Sequence, residues 1–118
     1  MDEATFKRRT KQFALRVIEL VDALPKTPAT NVIGRQLLRS ATSVGANYRA
    51  ACRGRSTADL ISKLSIVEEE ADESIYWLEP LVESNLAAAE SVRELSREAN
   101  ELVAMTVASI KTLRSRRH

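Results

Sequence analysis

The acidic run from Glu68 to Glu73 is the densest group of side chains in this sequence that could do chemistry. Its Glu69 and Glu73 are four residues apart, so on a helix they would lie on one face and could hold a metal ion. Dimetal helical bundles, however, carry a Glu-x-x-His motif on two of their helices. The single histidine here is His118, the last residue. We therefore predict no metal site and interpret the run as a solvated or ion-paired helix face.

The one cysteine, Cys52, is the only candidate for a thiol nucleophile. A nucleophile of this kind needs a nearby base, and the sequence offers no Gly-rich phosphate loop and no Ser-His-Asp set. We predict that Cys52 is a small, buried or half-buried side chain. The sequence predicts no enzyme, no cofactor and no small-molecule substrate.

Cellular location follows from the same residues and from the hydropathy. A lone cysteine fits a reducing compartment, and the N-terminus begins Met-Asp-Glu rather than with an apolar run. No stretch of eighteen apolar residues is present, which argues against a membrane span. We predict a cytoplasmic protein with no membrane partner.

Basic residues are the second group that could bind a ligand. The net charge is only +2, but residues 1–55 contain eleven Lys and Arg against four Asp and Glu, whereas residues 56–110 contain three against twelve. Basic and acidic helices could neutralise each other, or the basic side chains could form a face for a polyanion. The candidates for that face are Lys7, Arg8, Arg9, Lys11, Arg35, Arg39, Arg49, Arg53 and Arg55.

Four helices are predicted to position these side chains, at about residues 4–24, 31–53, 57–83 and 87–114. Apolar residues recur at alternating spacings of three and four in each segment, as on one face of a helix. Pro25 and Pro28 end the first helix, and Thr30 or Asn31 is the expected N-cap of the second. Gly54 is the expected left-handed stop of the second helix, and Pro80 should kink or end the third within about a turn.

The spacing of three and four is typical of helices that pack at shallow angles with a left-handed twist. Short connections favour antiparallel neighbours. The predicted fold class is all-α: an antiparallel, up-down-up-down, left-handed four-helix bundle, formed as a single domain by residues 1–118. Its expected core includes Val44, Leu64, Leu78 and Leu102.

Several polar residues fall on or beside the predicted core faces. Asn47 and Ser40 lie on the second helix, and Ser74 lies on the third beside Glu70 and Glu73. A buried Asn must find hydrogen-bond partners. We predict that Asn47 bonds to Glu70 or Glu73 in a network that fixes the register of the helices, rather than in a ligand site.

Apolar side chains outside the predicted core are too numerous for an isolated bundle. A set that includes the only Trp predicts a surface buried against another chain, and hence self-association. Its members are Leu15, Ile18, Leu38, Ile66, Trp77 and Val107.

The middle of the chain resembles a known family. Residues 35–50 read RQLLRSATSVGANYRA, residues 63–74 read KLSIVEEEADES, and residues 76–79 read YWLE. These stretches resemble the bacterial four-helix-bundle proteins encoded in intervening sequences of 23S ribosomal RNA genes, and more loosely the accessory protein of diversity-generating retroelements. The resemblance extends from about Phe6 to Leu113, with Pro80 as a departure from the pattern. It implies a left-handed up-down bundle, a ring-shaped homopentamer, a role in binding RNA and no enzymatic activity.

Two functions remain open at this stage. The first is a homo-oligomer that binds structured RNA by charge and shape. The second is a structural or adaptor oligomer with a protein partner and no nucleic acid, in which the arginines of the second helix pair with the acids of the third. The two differ in whether those arginines stay unpaired.

Overall fold

The computed structural model describes residues 2–116 and contains four α-helices. They are α1 (Glu3–Asp22), α2 (Pro28–Cys52), α3 (Thr57–Glu83) and α4 (Ala89–Arg116). No strand occurs within this range, so the protein is all-α. None of these helices is long and apolar enough to cross a membrane. His118 lies outside the described residues.

Side chains that cap the N-termini determine where three of the helices begin. The Asp2 carboxylate accepts a hydrogen bond from the Thr5 amide at 2.7 Å, and Ser56 Oγ accepts one from the Asp59 amide at 3.1 Å. Helix α2 begins with Pro28 after Thr27, which forms a capping box with Thr30. The predicted start of α2 was therefore about three residues late. Proline is compatible with the first turn of a helix, where its missing amide has no intrahelical partner.

The ends of the helices differ in part from the prediction. No glycine among residues 2–116 has a positive φ, so Gly54 is not a left-handed stop. The left-handed residue is Asn85, with φ of 59°, just beyond α3. Helix α3 passes Pro80 and ends at Glu83, within a turn as expected. Helix α4 starts two residues later than predicted, and it reaches Arg116 instead of ending near residue 114.

Apolar side chains from all four helices meet in one main core. Val44, Leu78 and Leu102 are completely buried, and Leu64 is nearly so. The spacing of apolar residues predicts that Val92, Leu95, Ala99, Leu102, Thr106 and Ile110 form the buried face of α4, and all six are buried. On α3 the spacing predicts Leu60 at the first buried position, but Ile61 occupies it. Buried residues that the spacing does not predict include Thr10 on α1 and Gly34 and Ala41 on α2.

Each helix packs against two of the others. Consecutive helices contact each other and α1 also contacts α4, whereas within residues 2–116 no Cα atom of α1 lies within 8 Å of one in α3, nor one of α2 within 8 Å of one in α4. The molecule measures 51 × 21 × 20 Å, which matches helices of about 30–40 Å sharing one long axis. Helices α1 and α2 pack tightly at Gly45, where a Cβ atom would lie 3.1 Å from the Thr10 hydroxyl, and at Gly34, where it would lie 3.1 Å from the Val21 side chain.

Candidate functional site

A surface groove of about 650 Å³ between α1 and α2 brings together five of the predicted basic residues. We call it the basic groove. Lys7, Arg8 and Lys11 come from α1, and Arg49 comes from α2, whose C-cap is Arg53. The remaining lining consists of small residues: Thr10, Ala14, Thr42, Gly45 and Ala46.

The groove exists because small residues occupy the line where the two helices meet. Gly45 has no side chain, and a Cβ added there would be only 3.1 Å from Thr10 Oγ1. Thr10 is buried, and its hydroxyl donates to the Lys7 carbonyl at 3.1 Å, so it does not project into the groove. Ala14 and Ala46 rise only one carbon above the backbone. Long basic side chains on both helices therefore project around a low floor.

The charge of the basic groove is almost uncompensated. No acidic residue lines it, and among residues 2–116 no ion pair involves Arg8, Lys11, Arg49 or Arg53. All four are exposed. Lys7 pairs with Glu3 at 3.0 Å, one turn away and also exposed, an arrangement that contributes little stability.

Besides Glu3, the acid nearest to the basic residues of α1 in sequence is Asp2, the N-cap of α1. Its pKa is lowered mainly by the hydrogen bonds from Thr5, and to a smaller extent by the positive charge of Arg8. The carboxylate is thus committed to capping the helix. It does not supply an ion-pair partner for the arginines of the basic groove.

Two predicted members of the basic face are engaged elsewhere. Arg9 donates to Glu98 at 2.6 and 3.0 Å and to Glu101 at 3.1 Å, and these bonds raise the pKa of its guanidinium. Arg39 pairs with Glu70 at 3.1 Å and with Glu73. Arg9 thus connects α1 to α4, and Arg39 connects α2 to α3. Neither residue lines the basic groove, so both stand apart from the other predicted cations.

The remaining two predicted contacts, Arg35 and Arg55, are exposed but do not line the basic groove. Arg35 lies near the first connection, beside Asp22 and Leu38. Arg55 lies in the connection between α2 and α3, at the mouth of a cleft at one end of the molecule. The structure thus brings together five of the nine predicted basic residues and separates four.

The polar network between α2 and α3 is built on serines and arginine. Ser74 Oγ lies 3.1 Å from Ser40 Oγ and 2.9 Å from the Glu70 carbonyl, and both serines are completely buried. Glu73 accepts a hydrogen bond from Trp77 Nε1 at 3.0 Å, besides its ion pair with Arg39. Every buried polar side-chain atom among residues 2–116 has a partner.

Asn47 is not part of this network, and its predicted bond to Glu70 or Glu73 is wrong. Its amide Nδ2 donates to the Ser43 carbonyl at 2.8 Å within α2, and the side chain is only half-buried. The next residue explains the difference. Tyr48 stacks on Phe6 of α1, with ring centroids 4.2 Å apart, and so directs that turn of α2 towards α1.

Cys52 is half-buried, as predicted, and is a free thiol. Burial is the main cause that raises its pKa, while a hydrogen bond with Tyr48 opposes the shift and the nearby Glu3 carboxylate adds to it. The thiol is therefore less acidic than an ordinary cysteine, the opposite of an activated nucleophile. Within residues 2–116 no three side chains of His, Cys, Asp or Glu lie close enough to hold a metal ion.

The surplus apolar residues fall into two classes. Leu15, Ile18, Ile66 and Val107 are exposed. Leu38 and Trp77 are half-buried against the core of their own chain, so these two have less surface to offer a partner than we predicted. Two exposed apolar residues were missed, Val32 at 58% and Tyr76 at 60% exposure.

The floor of the basic groove was also missed by sequence reasoning. Its signal was the run of small residues at 41–46, Ala-Thr-Ser-Val-Gly-Ala. Three residues of this run, Thr42, Gly45 and Ala46, line the groove together with Thr10 and Ala14. The periodicity of apolar residues predicts which side of each helix faces the core. It does not predict which neighbouring helix packs beside that face.

Comparison with known proteins agrees with this description. The family model described as 23S rRNA-intervening sequence protein matches residues 3–108. A crystal structure from Bacteroides thetaiotaomicron, of a protein with unknown function from the S23 ribosomal protein family, superposes with a TM-score of 0.87 at 34% identity, covering 94% of this chain and 99% of that chain. No curated protein matches. The chain therefore belongs to the family of 23S rRNA-intervening sequence proteins.

Proposed function

We propose that this protein is a non-enzymatic, self-associating helical bundle that binds RNA through the basic groove. The observation that carries the proposal is the groove itself: five basic side chains from two helices around a floor of small residues, with no acid in the lining. The description of the family, which refers to 23S rRNA, makes RNA the first polyanion to consider.

The proposed arrangement of the helices is an antiparallel, up-down-up-down, left-handed bundle. Contacts between consecutive helices and the short connections support the up-down order. From Leu64 to Leu81, the buried residues of α3 follow one another at alternating distances of three and four positions, which supports the left-handed twist. In this arrangement α1 and α2 are neighbours along their length, which gives the basic groove two continuous walls.

Self-association is supported by exposed apolar residues on two separate helices. Leu15 and Ile18 lie on α1, and Ile66 and Tyr76 lie on α3. Because no Cα atom of α1 lies within 8 Å of one in α3, these are two different surfaces. A contact between unlike surfaces joins copies head to tail and closes into a ring when the rotation allows it. The family resemblance favours five copies.

Phosphate binding in the basic groove would be driven by release of counterions from the nucleic acid. Arg8, Lys11, Arg49 and Arg53 need not break an ion pair to contact phosphate. Lys7 would exchange one exposed carboxylate for another anion. An oligomer repeats the groove on every copy, which increases the overall affinity for a long RNA.

The test is a titration of labelled ribosomal RNA fragments at several salt concentrations. Affinity should fall steeply with salt. Replacing Arg8, Arg49 and Arg53 with Ala should weaken binding and flatten the log–log slope by about 0.7–0.9 for each phosphate that the variant no longer neutralises. Arg35→Ala is the matched control, because Arg35 is exposed and outside the basic groove. Absence of binding even at low salt would favour an adaptor that binds a protein instead.

A further inference from the structure

We infer that the basic groove binds the sugar–phosphate backbone of a single RNA strand, rather than the surface of a duplex. The inference rests on the proposed function and specifies the form of RNA that the site accepts. It follows from the width, the length and the lining of the groove.

The width of the groove is that of the gap between two closely packed helices. Thr10 and Gly45 bring the backbones of α1 and α2 as near as side chains permit, since even a Cβ at Gly45 would meet Thr10 Oγ1 at 3.1 Å. Packed helices lie about 8–10 Å apart from axis to axis, so the gap between them is narrower than an RNA duplex, which carries two backbones around its stacked base pairs. A duplex would therefore rest on the rims, while one strand can reach the floor at Ala14 and Ala46.

The length of the basic groove follows from the antiparallel register. Thr10 lies opposite Gly45, and Phe6 lies opposite Tyr48. On this register Arg53 lies beyond the start of α1, and Lys11 marks the other end. The distance is about nine helical residues, or about 13 Å. Five cations along this length form a short row that can contact the phosphates of one strand. The two strands of a duplex diverge around the helix axis, so a short straight row cannot contact both.

The lining indicates how the bases would lie. No aromatic side chain lines the basic groove, and Tyr48, the nearest aromatic on α2, is already stacked on Phe6. Strand-binding proteins that grip bases do so by stacking them on aromatic rings. Here the cations can hold only the phosphates, so the bases face solvent and the sequence of the strand has little effect on binding.

The experiment compares two probes of equal length, each of roughly ten to fifteen nucleotides, a range typical of strand-binding sites. One is single-stranded oligouridylate, and the other is a fully paired RNA duplex. We expect the strand to bind about tenfold more tightly, with a log–log salt slope of about 2 per groove, because a row of this length spans about three phosphates and each contributes about 0.7.

The paired variants Ala46→Glu and Ala46→Gln assign the binding to the groove. Ala46 is exposed on the floor, so either side chain fits without disturbing the core. The two new side chains have nearly the same size and differ in charge. The Glu variant should lose at least about tenfold in affinity for the strand through repulsion of phosphate, and the Gln variant should lose much less. Thermal melts of both variants should match the parent.

Each outcome supports or overturns a specific statement. Preference for the strand, together with weakened binding in the Glu variant alone, supports the inference. Equal or tighter binding of the duplex overturns the single-strand inference and leaves RNA binding standing. Unchanged strand binding by Ala46→Glu overturns the basic groove as the site. Absence of binding to both probes overturns the proposed function itself.

Discussion

Arg39 is a residue whose interpretation differs between the sequence and the structure. In the sequence it belongs to a basic helix, but in the structure its guanidinium joins α2 to Glu70 and Glu73 of α3. The Glu70 side chain is only 14% exposed, so it relies on this partner. Removing one member of a partly buried pair leaves the other without compensation.

We expect Arg39→Gln to lower the free energy of unfolding by about 1 kcal/mol. Trp77 should report the change, because its indole donates to Glu73 and it is the only Trp. Its fluorescence should shift once Glu73, which accepts from the indole, loses its ion pair with Arg39. Arg35→Gln, on the same helix but in no ion pair with any of residues 2–116, should leave both the melt and the emission unchanged. Equal melting of the two variants would contradict the role of the pair.

Cys52 allows a second prediction from its surroundings. Burial raises the pKa of its thiol, so its alkylation by iodoacetamide should reach half its maximal rate at a higher pH than that of a cysteine in a short peptide. Tyr48→Phe removes a hydrogen bond to the thiolate and should move that midpoint further up. Glu3→Gln removes a nearby negative charge and should move it down. A profile that coincides with the peptide in all three proteins would exclude this environment.

At the scale of the helices, Leu64 tests whether α3 packs as described. It is 3% exposed and belongs to a small apolar cluster with Ala51, Ile61 and Ile110 at one end of the molecule. Leu64→Ala should therefore destabilise the protein by about 2–5 kcal/mol. Val32→Ala, at a site that is 58% exposed, should change stability by less than about 0.5 kcal/mol. Chemical denaturation at one fixed protein concentration measures both, and an unchanged midpoint for Leu64→Ala would refute the packing.

The helices also show how far sequence reasoning reaches. The stripe of α4 was predictable because its apolar residues are regularly spaced and face one core. The start of α2 was not, because Thr30 is a good N-cap by type but serves as the third helical residue in the capping box of Thr27. Asn47 was placed in the core by spacing alone, whereas the stacking of Tyr48 on Phe6 turns that part of α2 towards α1. Which side of a helix is buried at a given turn depends on the helix that packs against it, and the local spacing of apolar residues does not contain that information.

At the scale of the whole molecule, the sequence shows that basic and acidic residues are segregated along the chain. It does not show which basic residues form ion pairs in the folded protein. Neutralisation between helices holds for Arg9 and Arg39, which pair with carboxylates of α4 and α3, whereas Arg8, Lys11, Arg49 and Arg53 have no ion pair among residues 2–116. The difference depends on which flank of α1 and α2 faces an acidic helix. The basic groove lies on the flank where these two basic helices face each other.

Assembly provides the last prediction, because the exposed apolar residues lie on separate helices. Leu15 and Ile18 form an exposed apolar surface on α1, and Ile66 and Tyr76 form another on α3. Because these surfaces are unlike and lie on different helices, we expect contact between the α1 surface of one copy and the α3 surface of the next. Light scattering of the parent protein at micromolar concentration should then give several times the chain mass of 13.1 kDa.

Two double variants separate a head-to-tail contact from a symmetric one. Replacing Leu15 and Ile18 with Asp damages only the α1 surface, and replacing Ile66 and Tyr76 with Asp damages only the α3 surface. Each variant alone should be a monomer of 13.1 kDa, since every contact needs one surface of each kind. Mixed in equal amounts, the intact α3 surface of the first can bind the intact α1 surface of the second, and the mass should rise to about twice that of one chain. A mixture that stays monomeric would show that these two surfaces are not partners, and a parent protein that is itself monomeric would refute self-association altogether.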